Sequence, residues 1–229
     1  MGLRKIPFVS GEYYHIYNRG NSKQKIFLDE ADYSRFLKLL FLCNSDQNIN
    51  FRNVIHANKD LYSFDRGETL VDVGAYCLMP NHFHLLIHEK EENNISLFMK
   101  KLSTAYVMYF NSRYERTGSL FEGKFKAEHA GTDQYLKYLF AYIHLNPVKL
   151  IEPKWRVGGI ANKTKAHKFA LDYEYSSYSY LGGDNQKWSK ILNLDHFPKY
   201  FVNSQDYRKE MFGWLDSPRK DLGELGESA

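Results

Sequence analysis

The chain has 229 residues, 43% of them apolar and 16% aromatic, with a formal charge of +4; this excludes disordered, collagen-like and coiled-coil chains and fits one domain with an extension. Its longest apolar cluster, around Phe36 to Cys43, is interrupted by Lys38 and falls far short of the roughly 20 residues that cross a bilayer. Met1 to Val9 carries no apolar leader, so the expected compartment is the cytoplasm. Cys43 and Cys77 alone support neither a disulfide scaffold nor a thiolate metal knuckle.

In chain order, Glu12 to Tyr17 reads as a strand that runs into a turn at Asn18-Arg19-Gly20-Asn21. Asp29 caps a helix over residues 30–43, where Phe36, Leu39, Leu40 and Cys43 recur at spacings of three and four. Residues 44–68 are polar and mixed, a loop with one short strand near Phe51 to Ile55. Val71 to Met79 and His82 to Glu89 are apolar or alternating runs divided by Pro80-Asn81, two strands or one strand with a central break. Ser96 caps a long helix to about Arg113, Gly118 to His129 forms a short strand or hairpin, and Asp133 opens a third helix that ends close to Pro147. Beyond it, Tyr173, Tyr175, Tyr178 and Tyr180 precede Gly182-Gly183, and a short helix runs from Gln205 to Leu215.

Charge is unevenly spread along the chain. Residues 1–28 and 96–126 each carry a net +4 interleaved with aromatics, the pairing of cations and flat rings that single-stranded nucleic acid needs. A pair of solvated faces over buried rings would look the same. In the run His82 to His88, a strand sends His82, His84, Leu86 and His88 to one face, with Phe83, Leu85 and Ile87 turned to the core. Two imidazoles about 6–7 Å apart at Cβ can share one divalent cation, whereas His88, roughly 13 Å from His84, is out of reach of the same ion. Two half-exposed surface histidines are the alternative. On the third helix, Tyr138, Tyr142 and Asn146 fall at i, i+4 and i+8, apart from the apolar Leu136, Leu139, Phe140 and Ile143. A phenol one turn from an amide oxygen sets a nucleophile beside a hard ligand, although a buried packing tyrosine has the same spacing.

Met79-Pro80-Asn81-His82-Phe83-His84-Leu85 followed by Tyr142-Ile143-His144-Leu145-Asn146-Pro147-Val148-Lys149 resembles the single-tyrosine HUH transposases, in particular the REP-associated tyrosine transposase branch. Tyr14-His15-Ile16-Tyr17-Asn18-Arg19-Gly20, the segment Gly118 to Lys126 and Tyr175-Ser176-Ser177-Tyr178 agree with it, so the resemblance spans residues 12–181. It implies an α+β fold, ferredoxin-like or palm-like, with an antiparallel sheet, helices packed mainly on one face and the His-x-His strand central. A catalytic domain over 1–150 and a C-terminal extension over 151–229 follow.

The resemblance further implies that His82, His84 and Asn146 ligate Mg2+ or Mn2+ and that Tyr142 is the nucleophile. The reaction is cleavage and rejoining of single-stranded DNA through a 5′-phosphotyrosine link, on a REP-like hairpin with a flanking single strand. Lys100, Lys101, Arg113, Lys124 and Lys126 are the expected phosphate contacts, with Arg19 and Lys23 nearer the cleavage site. Pro147 is expected to leave Asn146 on a frayed last turn. Tyr175 and Tyr178 are expected to pack, and a monomer is favoured over a homodimer. No general base is legible. A domesticated, non-cutting hairpin binder and a metal-dependent phosphodiester hydrolase in which His82 and His84 activate water are the alternatives.

Overall fold

Four strands, β1 (Tyr13–Arg19), β2 (Val71–Met79), β3 (His82–Glu89) and β4 (Lys126–His129), make one antiparallel sheet in the order β2-β3-β1-β4. The structure is a computed structural model that describes residues 7–57, 60–182 and 188–215. β2 and β3 join at Pro80-Asn81 and are buried on both faces, so the sheet is covered twice. Val71, Val73, Tyr76, Leu78, Phe83, Leu85 and Ile87 belong to one core, and Ala75, Cys77, Met79 and Leu86 to the other. The register slips between Val73 and Ala75, at Gly74. A Cβ on Gly74 would stand 2.5 Å from the Phe197 ring, so only glycine lets that ring reach the strand.

The first core is closed by α1 (Glu30–Cys43), α2 (Phe51–Ala57) and α3 (Asn94–Arg113). Asp29 caps α1 as expected, its side chain accepting from the amides of Ala31 and Asp32. The expected strand near Phe51 to Ile55 is instead α2: Asn50 accepts from Asn53 N at 3.2 Å, and Phe51, Val54 and Ile55 meet the core at helical spacing. α3 begins two residues before Ser96, because the buried carboxylate of Glu89 accepts from Ile95 N at 2.7 Å and takes over the capping. Between Gly118 and His129 only β4 is strand, with Phe121 making a single bridge to Gly20.

The second core lies under α4 (Asp133–His144) and the extension, with α5 (Trp155–Gly158), α6 (Lys163–Leu171), α7 (Tyr178–Leu181) and α8 (Ser204–Trp214). Helices thus flank both faces: α1 and α3 take one, and α4 with the extension takes the other. The extension also zips onto the outer edge of β2, where Leu78 N donates to Tyr175 O at 2.9 Å and Ser177 N to Tyr76 O at 3.0 Å. Tyr175 stacks on Tyr33 with centroids 3.8 Å apart, and Tyr178 is buried, so both tyrosines pack.

Candidate active site

The alternation of β3 puts His82 and His84 on the α4 side of the sheet, their ring centroids 4.9 Å apart. Neighbouring β1 sets Arg19 opposite His82, Tyr17 opposite His84 and His15 opposite Leu86. His82 Nδ1 lies 2.7 Å from Asn81 Oδ1; that oxygen only accepts, so Nδ1 carries the proton and Nε2 keeps its lone pair. His84 Nδ1 lies 2.9 Å from His15 Nε2, and His15 Nδ1 faces Glu128 Oε2 at 4.0 Å. At 4.0 Å that carboxylate makes no hydrogen bond, and its charge alone favours the His15 proton on Nδ1; His15 Nε2 then accepts from His84, which leaves His84 Nε2 unprotonated as well. Glu128 is itself held by the Tyr17 hydroxyl at 2.8 Å and the Tyr135 hydroxyl at 3.3 Å.

α4 brings Tyr142 onto this pair. Its ring centroid is 5.5 Å from that of His84 and 5.5 Å from that of His15. α4 is capped by Thr132, whose hydroxyl accepts from Tyr135 N at 3.2 Å, and it ends at His144, ahead of Pro147. Asn146 opens a 3-10 turn (Asn146–Leu150) but is fully buried, with Nδ2 donating to Tyr142 O at 3.0 Å. That bond fixes the amide, which is therefore not frayed. Asn146 Oδ1 is buried with no hydrogen-bond partner among the described residues. An orphaned hard oxygen and two imidazole lone pairs fit a divalent cation, since a buried acceptor left unpaired otherwise costs about 1–3 kcal/mol.

The expected separation of α4 into an apolar and a chemical side is not what the fold makes of it. Tyr138 and Tyr142 are as buried as Leu139 and Ile143, because the extension covers the side away from the sheet. Arg156 lies with Cζ 4.1 Å above the Tyr142 ring and Nη2 3.3 Å from Tyr142 O. Trp155 and Trp214 line the same narrow recess.

Electrostatics favour ligation over protonation. Burial, reinforced by the Arg19 and Lys149 charges, pushes the His82 imidazole down to about 3. Burial together with the His82 and His15 charges holds His84 well below the usual imidazole range, so both rings are neutral near pH 7. Burial raises Tyr142 above the ordinary phenol value, and the Arg156 charge opposes the rise. For Glu128, burial pushes upward, but the facing His15 and the Tyr17 hydroxyl outweigh it and the carboxyl is lowered.

The basic residues separate into two groups. Lys100, Lys124 and Lys126 line one cleft of about 740 Å³ between α3 and the segment leading into β4, with Asn18, Phe121 and Phe125 beside them. Arg19 stands next to His82, and Lys23 sits in the exposed turn (Asn21–Lys23) against the Pro80-Asn81 hairpin. Lys101 and Arg113 are drawn elsewhere. Lys101 Nζ donates to Ser45 O at 2.6 Å and Gln47 O at 2.9 Å, while Arg113 pairs with Asp29 at 2.6 Å and Asp32 at 2.8 Å, tying α3 to the start of α1.

His15, Glu128 and Arg156 are site residues that pattern reasoning did not single out. His15 shares its strand face with Tyr17 and Arg19, a period-2 signal that could have found it; Glu128 and Arg156 arrive only through tertiary structure. The model of the family described as "Transposase IS200 like" matches residues 8–146. Among proteins with curated descriptions none matches the chain. One similar solved structure is a REP-associated tyrosine transposase bound to a REP hairpin, at 12% identity and a TM-score of 0.47 over 79% of this chain and 85% of that one.

Proposed function

We propose that this chain, which belongs to the IS200-like transposase family, cuts and rejoins single-stranded DNA with Tyr142 as nucleophile. The observation that carries the reading is the meeting of the Tyr142 ring with His84, centroids 5.5 Å apart, with Asn146 bonded to the Tyr142 carbonyl and its own amide oxygen unpartnered among the described residues. His82 and His84, through Nε2, and Asn146, through Oδ1, would hold a divalent cation, Mg2+ or Mn2+. When bound, such an ion would supply Lewis-acid stabilisation of the negative charge on the phosphate.

The residues of the chain account for the other steps. Tyr142 Oη attacks the phosphorus, a new Oη–P bond forms, and the bond from phosphorus to the 3′ oxygen breaks. The phenol proton is lost and the 3′ oxygen gains one. The product is a 5′-phosphotyrosine and a free 3′-hydroxyl, and attack by a 3′-hydroxyl reverses the step, so no nucleotide cofactor is consumed. Arg156 over the ring favours the phenolate form electrostatically. His15 and Glu128 fix the His84 tautomer and ring and do not touch the reacting atoms. Hairpin DNA is the proposed substrate. Its phosphates would follow the Lys100, Lys124 and Lys126 cleft on the α3 side and pass the edge strand β4 towards Arg19 and Lys23. The chain is proposed to act in the cytoplasm as a monomer. Incubation of the protein with end-labelled hairpin DNA and Mn2+, followed by a denaturing gel, tests this. Wild type gives a covalent adduct, and Tyr142→Phe gives none while retaining DNA binding. An adduct that persists in Tyr142→Phe refutes the assignment, and cleavage with no adduct in wild type would point to hydrolysis.

A further inference from the structure

Away from the tyrosine, β2, β3 and the extension bring Asp72, His88 and His196 together, and we propose that these three side chains form a second divalent-cation site, suited to a borderline ion such as Zn2+. Asp72 and His88 are direct cross-strand partners in the β2–β3 register. Asp72 is fully buried, and its Oδ2 lies 2.9 Å from His88 Nδ1 and 2.8 Å from His196 Nδ1. The two imidazole planes are 14° from parallel with centroids 5.3 Å apart, and the three donor atoms all lie within 4.8 Å of one another. Two imidazole nitrogens and one carboxylate oxygen therefore converge on one point.

The surroundings hold these donors independently of any ion. Asp72 Oδ1 accepts from Asn193 Nδ2 at 2.7 Å, an outer bond that orients the carboxylate and leaves Oδ2 for the centre. The loop carrying His196 is pinned to the sheet by Asn193 N to Val73 O at 3.0 Å and by the Tyr13 hydroxyl to His196 O at 2.5 Å. Phe197, one residue on, rests where a Gly74 side chain would be. His196 is thus presented to Asp72 by contacts on both sides of it in the chain.

Donor chemistry and spacing suit the ion. An imidazole that carries its proton on Nε2 leaves Nδ1 free for a metal. Tetrahedral Zn2+ with bonds of about 2.0–2.2 Å sets its donors roughly 3.3 Å apart. The present separations of 2.8 and 2.9 Å need an opening of only about half an ångström on the zinc distances. The His196 side chain is 55% exposed, so it can supply that movement, and water can reach a fourth position from its side. The site is separate from the His82, His84 and Asn146 set, since His88 lies roughly 13 Å from His84 along β3. Its effect would be to clasp the extension to the sheet.

The test is metal uptake by full-length, chelator-treated protein, with Co2+ as a spectroscopic stand-in for Zn2+, read by equilibrium dialysis and visible absorption. His196→Ala should bind one Co2+ fewer than wild type and still form the DNA adduct with Mn2+. His82→Ala/His84→Ala should retain one Co2+ with four-coordinate absorption, and Zn2+ should raise the melting temperature of wild type more than that of His196→Ala. Equal Co2+ uptake by wild type and His196→Ala, with equal thermal response to Zn2+, would overturn the proposal.

Discussion

In the proposed site, Glu128→Gln isolates the chain that sets which nitrogen His84 offers to a metal. In the protein, Glu128 faces His15 Nδ1 at 4.0 Å, and His15 Nε2 is 2.9 Å from His84 Nδ1. Without the carboxylate charge, the His15 proton is free to sit on Nε2. It would then donate to His84 Nδ1 and drive the His84 proton onto Nε2, the atom reserved for the cation. Loss of an outer-shell partner of this kind costs about 10- to 100-fold in metal affinity, or roughly 1.4–2.7 kcal/mol. The substitution is nearly isosteric, and its amide oxygen still accepts from one of the Tyr17 and Tyr135 hydroxyls, so the fold loses only about 1 kcal/mol for the other. The assay is the Mn2+ concentration that gives half-maximal covalent adduct. It should rise by about one to two orders of magnitude, and saturating Mn2+ should restore most of the adduct. An unchanged half-saturation point would refute the relay, as would a loss that saturating Mn2+ leaves untouched.

Three other outcomes follow from the same geometry. Arg113→Ala should lower stability by about 1–3 kcal/mol, less than for a fully buried pair because the guanidinium is partly solvated, and should leave hairpin binding unchanged, whereas Lys124→Ala and Lys126→Ala should each weaken binding and reduce its salt slope by about 0.7–0.9; urea titration and binding at several salt concentrations separate the two classes. Arg156→Met should move the pH profile of adduct formation to higher pH and slow the reaction roughly 2- to 30-fold at neutral pH, and a profile that stays in place would remove Arg156 from the site. Burial pushes His144 down to about 3; a depressed histidine contributes fully above the ordinary imidazole value of about 6.5 and progressively less as pH falls towards 3, so chelator-treated protein should lose about 2 kcal/mol at pH 5 through this residue alone. Equal urea midpoints at pH 7 and pH 5 would contradict it.

The strands and main helices were legible because their periods were long enough to be unambiguous. The run His82 to Glu89 alternates at period 2, and Phe36, Leu39, Leu40 and Cys43 repeat at helical spacing, so β3 and α1 sit where the pattern puts them. Phe51 to Ile55 is too short for its period to separate helix from strand, and Asn50 decides for helix. Tyr142, His82, His84 and Asn146, the proposed site, were candidates because they stand in two compact motifs. Their support could not be read this way: Glu128 meets His15 across β1 and β4, and Arg156 reaches Tyr142 from the extension. Charge in a sequence carries no record of its partner, which is why Lys101 and Arg113 looked like phosphate ligands while the fold had claimed them for Ser45, Gln47, Asp29 and Asp32.

Burial between the sheet and the extension gives the tyrosine-bearing helix a further property. Peeling it away would bare Leu136, Leu139, Phe140 and Ile143, at about 1.5–3 kcal/mol each, and would unfasten His144 from Ser177 and Tyr207, bonds of 2.7 and 2.6 Å. Lending the phenol to a neighbouring molecule therefore costs far more than keeping it at home. On the proposed reading each molecule would be a complete cutting unit, so the initial velocity of strand cleavage should rise with the first power of enzyme concentration down to the greatest dilution at which the product can be seen.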